Sequence, residues 1–146
     1  MINLIIRRLK KEDAEAIQRI DSTITKMADQ QDFKRMVEEL AVSPGNMSYV
    51  AEYDGEIVGY MISYLVIRGF GIQKSAWIAA VGVEPRYMGQ GIGKALANEI
   101  FNYYSKKGIH NIYTSVRWDS TDMLQFLKTL GFDRSEFINL RKKIEL

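Results

Sequence analysis

The chain reads as an α/β protein, a mixed α+β sheet with its elements in the order β-α-α-β-β-β-α-β-α-β. Three features predict this. Asp54-Gly55 separates two runs rich in β-branched and aromatic residues, the strongest short signal for a hairpin. The apolar run Ala76-Trp77-Ile78-Ala79-Ala80-Val81 reads as a buried strand. It leads past Pro85 into Gly89, Gly91 and Gly93, after which Ile92, Ala95, Leu96, Ile100 and Tyr103 recur at helical spacing. A further strand-like run follows that helix, and strand–helix–strand implies a parallel crossover.

Taken in order, residues 2–9 are apolar and β-branched and predict the first strand, with Arg7, Arg8, Lys10 and Lys11 marking its exposed exit. Residues 13–24 place Ala14, Ile17 and Ile20 on one helical face. A second helix over 30–40 carries Phe33, Met36, Val37 and Leu40 at i, i+3, i+4 and i+7, and Ser43-Pro44-Gly45-Asn46 stops it. Strands at 47–53 and 56–67 flank the Asp54-Gly55 turn. Residues 68–74 read as a loop, and 75–83 as the third antiparallel strand. Pro85 ends that strand because it cannot donate to a ladder. The central helix covers 91–107 and stops at Gly108, with Lys106 and Lys107 in its last turn. A strand at 109–118, a helix at 121–130 with Met123, Phe126, Leu127 and Leu130 on one stripe, and a last strand at 137–144 complete the chain.

With 146 residues the chain holds one domain with a real core, read here as 1–146. Its 47% hydrophobic and 26% charged content is that of a globular protein. A net charge of +2 is too small to argue for a nucleic-acid partner. There is no Cys, so a disulfide framework, a thiolate metal site and a cysteine nucleophile are excluded, in keeping with a reducing cytoplasm. No apolar stretch approaches membrane-spanning length, and the N-terminus lacks a signal-peptide core. No membrane and no metal are expected.

The glycine-rich turn carries the chemistry. Bare N–H groups at a helix start, together with the positive end of its dipole, form an anion site, and glycines let a phosphate approach the backbone. Two common phosphate motifs fail here. A Walker loop would need a glycine at Met88 and Ser or Thr at Ala95, and the dinucleotide fingerprint would need a third glycine at Leu96. The stretch Met88-Gly89-Gln90-Gly91-Ile92-Gly93-Lys94, following Val83-Glu84-Pro85, instead resembles the acyl-CoA loop of the GCN5-related N-acetyltransferase (GNAT) superfamily. That pattern is [QR]-x-x-G-x-[GA] after a V-x-P strand end, and Met88 stands where the family usually has Gln or Arg. The opening Ile6-Arg7-Arg8-Leu9-Lys10-Lys11-Glu12-Asp13-Ala14 is also similar to that family's, and the resemblance covers essentially the whole chain.

The resemblance implies the acyl-CoA N-acyltransferase fold, acetyl-CoA as cosubstrate, and a primary amine, peptide or small molecule, as acceptor. It implies that the strands at 75–83 and 109–118 splay apart. Val81, Gly82 and Val83 then meet pantetheine and thioester, and Met88 to Lys94 meet the pyrophosphate. Gly82 also fits as a bulge or close approach in a strand, or as a small residue beside Trp77 or Tyr113. Ser120 aligns with the family's pantetheine-binding Asn and also suits a helix N-cap. The family's proton relays are replaced: Trp77 stands at the usual base glutamate and Leu127 at the usual acid tyrosine. Asp119 is the nearest carboxylate in sequence, read either as binding or deprotonating the amine or as a helix cap. Tyr64 and Tyr113 line the acceptor cleft or pack in the core. Lys94 and Arg86 meet CoA phosphates or solvent, and His110 reads as a surface residue. Homodimers are common in the family. Direct attack of an amine on the thioester is the leading reading, and its rival is a non-catalytic acyl-CoA-binding sensor or interaction module.

Overall fold

The computed structural model describes residues 3–25, 31–69 and 72–145. The chain divides into two compact units, Met1–Thr114 and Ser115–Leu146. The first holds a five-stranded sheet in the order β1-β2-β3-β4-β5. Its strands are β1 (Leu4–Arg8), β2 (Tyr49–Tyr53), β3 (Glu56–Gly69), β4 (Ile72–Val83) and β5 (Ile112–Thr114). The first four pair antiparallel and β5 joins β4 in parallel. Helices α1 (Ala14–Thr25), α2 (Gln31–Val42) and α3 (Ile92–Lys106) belong to the same unit.

Period-two alternation along β3 sends its side chains to two different helical layers. Tyr60 and Ile62 pack with Val50 against Ala14, Ile17 and Ile20 of α1 and Val37 of α2. On the other face, a carbon added at Gly59 would lie 3.0 Å from Ile92 and 3.4 Å from Leu96 of α3. Four residues on, the Ser63 hydroxyl meets the Tyr104 hydroxyl of α3 at 2.9 Å. Burial pushes the Tyr104 phenol up to about 12. Arg7 of β1 ties the sheet to the entry of α1, donating to both oxygens of the buried Asp13 carboxylate at 2.9 Å. Asp54 and Gly55 both have positive φ, 51° and 82°, as a type I′ hairpin turn requires.

Several elements depart from the sequence expectation. The predicted loop at 68–74 is largely strand: β3 and β4 stay paired to Gly69↔Ile72, and only 70–71 lie outside the described residues. No proline interrupts that ladder, so nothing removes a donor from it before Gly69↔Ile72. The strand expected at 109–118 shrinks to Ile112–Thr114, because β4 bulges immediately beyond the residues it pairs with. The strand expected at 137–144 does not form: among the described residues no ladder includes it, and Ile138, Leu140 and Ile144 are exposed. Alternation alone does not make a strand without a neighbour to bond. The 24–29 connection falls mostly outside the described residues.

The second unit contains α4 (Thr121–Thr129). It ends in a Schellman motif, with Gly131 at φ 95°, its N–H bonded to Lys128 O and the Phe132 N–H to Leu127 O.

Candidate active site

The site grows from the way β4 leaves β5. Parallel pairing covers only Ala76↔Ile112, Trp77↔Tyr113 and Ile78↔Thr114, closed by a hydrogen bond from Thr114 Oγ1 to Ile78 O at 2.9 Å. At that point the β3–β4 register shifts: Ile62 faces Ala80 and Ser63 faces Ile78, leaving Ala79 as an extra residue on β4. Such a bulge bends its strand and ends pairing. From 79 to 83, β4 is held by β3 on one side, and among the described residues its other edge has no strand partner. Val81, Gly82 and Val83 lie on this open edge, opposite Met61, Tyr60 and Gly59. A free edge of backbone N–H and C=O groups is a template for an extended, amide-bearing ligand.

Gly82 is required by packing. A carbon added there would lie 2.7–2.8 Å from the Tyr60 ring and hydroxyl. The bulge expected at Gly82 is at Ala79, and the large neighbour expected to be Trp77 or Tyr113 is Tyr60. Those two rings stack on each other instead, with centroids 5.3 Å apart.

After β4, Glu84 N–H bonds to Val58 O at 2.8 Å and a turn of 3-10 helix over Pro85–Tyr87 redirects the chain. Gly89 and Gly91 then adopt left-handed φ of 79° and 82°. Side-chain carbons at either would face open space, so it is the backbone angle that demands glycine. Gly91 is the N-cap of α3 and no side chain caps this end. The first N–H groups of α3, at Ile92, Gly93 and Lys94, have no intrahelical acceptor. Turns of this kind gather N–H groups into an anion-binding concavity, reinforced by the dipole of the 15-residue helix. Met88, Gln90 and Lys94 are exposed around it. Arg86 is engaged by Glu84, Nε to Oε1 at 2.8 Å.

The remaining predicted residues lie elsewhere. Tyr64, on β3 opposite Trp77, is 38% exposed and open to a ligand. Asp119 and Ser120 belong to the second unit. Asp119 is not the cap of α4: Arg117 grips its carboxylate through Nε and Nη2, both at 3.0 Å, and holds it below the usual carboxylate range. Ser120 takes the N-cap position, but its hydroxyl makes no capping bond. Leu127, at the position of the family's acid, is buried. His110 is exposed. Among the described residues no group of three or more His, Cys, Asp or Glu side chains is arranged to hold a metal, and no helix is long and apolar enough to cross a membrane.

Sequence reasoning missed one pairing. The Tyr60 hydroxyl, beside Gly82, donates to Asp21 Oδ1 at 3.2 Å. Burial, with Asp21 adding to it, pushes this phenol well above its ordinary range. Thirty-nine residues separate the two, so no local spacing could signal the contact.

The chain is similar to known proteins in sequence and in fold. The profile of the acetyltransferase (GNAT) family matches residues 11–132. Mycothiol acetyltransferase of Renibacterium salmoninarum is 28% identical over 103 residues, covering 70% of this chain and 30% of that protein. The chain thus spans under a third of the length of that relative. Among solved structures, an aminoglycoside acetyltransferase from an uncultured soil metagenomic sample, in complex with sisomicin, superposes with a TM-score of 0.78 at 21% identity, covering 97% of each chain. An aminoglycoside N-acetyltransferase in complex with CoA gives 0.80 at 17% identity, covering 97% of this chain and 95% of that one. At these identities the likeness to the solved structures is one of fold. With most of its length matched by the family profile, the chain belongs to the acetyltransferase (GNAT) family.

Proposed function

We propose that the chain is an acetyl-CoA-dependent N-acetyltransferase, one domain over 1–146, that acetylates a primary amine by direct attack in a ternary complex. The observation that carries this is the open edge of β4 at 79–83, followed through the Pro85–Tyr87 turn and the glycine loop by the uncapped N-terminus of α3. An extended amide arm and a pyrophosphate, joined in one ligand, need those two features side by side. The family match, which runs through both compact units, supports the single domain.

Bound acetyl-CoA supplies an activated acyl group as a thioester. Val81, Gly82 and Val83 offer backbone groups to pair its amide arm, and an N–H of this edge faces the acyl oxygen as it gains charge. The loop from Met88 through Gly89, Gln90, Gly91, Ile92 and Gly93 to Lys94 holds the pyrophosphate by backbone N–H groups, with the Lys94 charge beside it. By resemblance to the family, Ser120 is assigned to the same amide arm; its hydroxyl makes no capping bond. Tyr64 lines the acceptor side. In the transfer a carbon–nitrogen bond forms, the carbon–sulfur bond breaks, and the proton lost by nitrogen ends on sulfur through solvent.

Base catalysis by the protein is weak in this reading. Trp77 and Leu127 cannot carry protons, and Asp119, lowered by Arg117, is a poor base. The acceptor must therefore arrive neutral. At pH 7 a lysine amine is neutral only about once in two thousand, a cost of roughly 4.6 kcal/mol, whereas an α-amine pays about 1 kcal/mol. Peptide α-amines and small amines of low pKa are the preferred acceptors. The test is CoA release from acetyl-CoA over matched α-amine and ε-amine peptides. Faster turnover of the α-amines at pH 7 is expected, and faster turnover of lysine side chains would reveal a dedicated base.

A further inference from the structure

We infer that Asp21 is a specificity-determining residue that binds a second, cationic group of the acceptor, so that the preferred substrates carry one reacting amine and one further positive charge. The inference rests on the transferase reading above and deepens it. The juxtaposition behind it joins three elements. Gly82 sits on the open edge of β4, the Tyr60 ring and hydroxyl fill the space its side chain would occupy, and that hydroxyl reaches the Asp21 carboxylate on α1 at 3.2 Å. Asp21 is therefore two contacts from the strand end where the acyl group is presented. Tyr60 is 1% exposed, while Asp21 is only partly buried and stays open to solvent.

Several other carboxylates of the chain are held by arginines. Asp13 and Glu52 are held by Arg7, Glu84 by Arg86 and Asp119 by Arg117. Asp21 has a neutral phenol on Oδ1, and among the described residues no Lys or Arg pairs with it. The last turn of α1 carries no basic residue either, so the negative end of the helix dipole adds to the Asp21 charge. A partly desolvated carboxylate with one oxygen already oriented by a hydroxyl is suited to an ammonium, through a charge-assisted hydrogen bond. The nitrogen that attacks must be neutral, so the cation held by Asp21 is a different group of the same acceptor. Tyr60 acts through Asp21 as a positioning residue.

The experiment uses the full chain and two peptides with the same free α-amine, differing only in lysine or glutamine at the second position. In wild type the lysine peptide should show at least a ten-fold lower KM, with transfer to the α-amine confirmed by mass spectrometry. Asp21→Asn keeps an oxygen to accept from Tyr60 but loses the charge. It should bring the two KM values within about three-fold of each other, with the Kd for acetyl-CoA unchanged. A merely structural role predicts that the variant keeps the preference, and that result overturns the assignment, as does a wild type with no preference. Should Asp21→Asn fail to fold, Asp21→Glu moves the charge by one methylene. It should raise the KM of the lysine peptide three-fold or more and leave that of the glutamine peptide alone, and an unchanged lysine KM is again contrary. If neither these peptides nor a panel of mono- and diamines is acetylated while acetyl-CoA still stabilises the protein, the transferase reading fails and the assignment with it. Turnover without discrimination sinks the assignment alone.

Discussion

Valine in place of Gly91 separates the demands of the fold from those of the ligand. Gly91 has φ 82°, and a side-chain carbon there meets nothing within 4 Å. The cost to folding is therefore the left-handed angle alone, about 1–2 kcal/mol, or a fall in Tm of about 2–8 °C for a chain of this size. Gly108, at the other end of α3, is an internal control: its φ is 76° and its surroundings are equally open. Gly108→Val should lose the same stability. The two variants should part in ligand binding. Restricting the backbone at Gly91 displaces N–H donors at the start of α3, and one charge-assisted bond to a phosphate is worth about 1.5–3 kcal/mol. That corresponds to roughly a ten- to hundred-fold weaker Kd for CoA, against less than a two-fold change for Gly108→Val. Urea unfolding without ligand gives the first quantity and calorimetric titration with CoA the second. A folded Gly91→Val that binds CoA like Gly108→Val would refute the phosphate cradle.

Gly82→Ala should destabilise the protein by about 1–3 kcal/mol, because the added carbon overlaps the Tyr60 ring at 2.7 Å. In a double-mutant cycle by urea unfolding, combination with Tyr60→Leu should cost less than the sum, and strict additivity would exclude that contact. Met88→Gln should leave folding and CoA affinity nearly unchanged, since Met88 is 54% exposed and the backbone makes the cradle; a large loss in titration would assign the side chain a role. Asp119→Asn should keep most of the turnover. Because Arg117 lowers this carboxyl, any stability it adds is present above the unfolded carboxylate pKa and fades as pH falls through the lower folded value. A Tm difference between wild type and Asp119→Asn should thus shrink in acid, and one that grows would contradict the pairing.

Most of the sheet was legible in the sequence because its signals are local. Asp54-Gly55 demands a turn with positive φ, which it has, and Gly89, Gly91 and Gly108 mark the loop and the ends of α3. What was illegible depends on partners distant in the chain. The run at 137–144 alternates like a strand, yet a strand exists only where a neighbour bonds it, and none does among the described residues. The length of β5 is set by the bulge at Ala79, a feature of the β3–β4 register and not of either sequence. Residues 68–74 looked like a loop from their two glycines, but the ladder runs through to Gly69↔Ile72. Within the site, the glycine loop was readable from spacing. Of the carboxylates, Asp119 has its partner Arg117 only two residues away and still went unread, whereas Asp21 meets Tyr60 across the sheet–helix interface, beyond any local spacing.

The most direct test of the transferase account is acetyl-CoA binding followed by product analysis on the same preparation. Acetyl-CoA at a hundred-fold excess over Kd should stabilise the protein by about 2.7 kcal/mol, well beyond any effect of ATP or NAD. With an amine panel, mass spectrometry should then find one acetyl group on the preferred amine for each CoA released. Equal stabilisation by ATP would contradict the acyl-CoA site, and stabilisation by acetyl-CoA with no acetylated amine would leave a binding module in place of an enzyme.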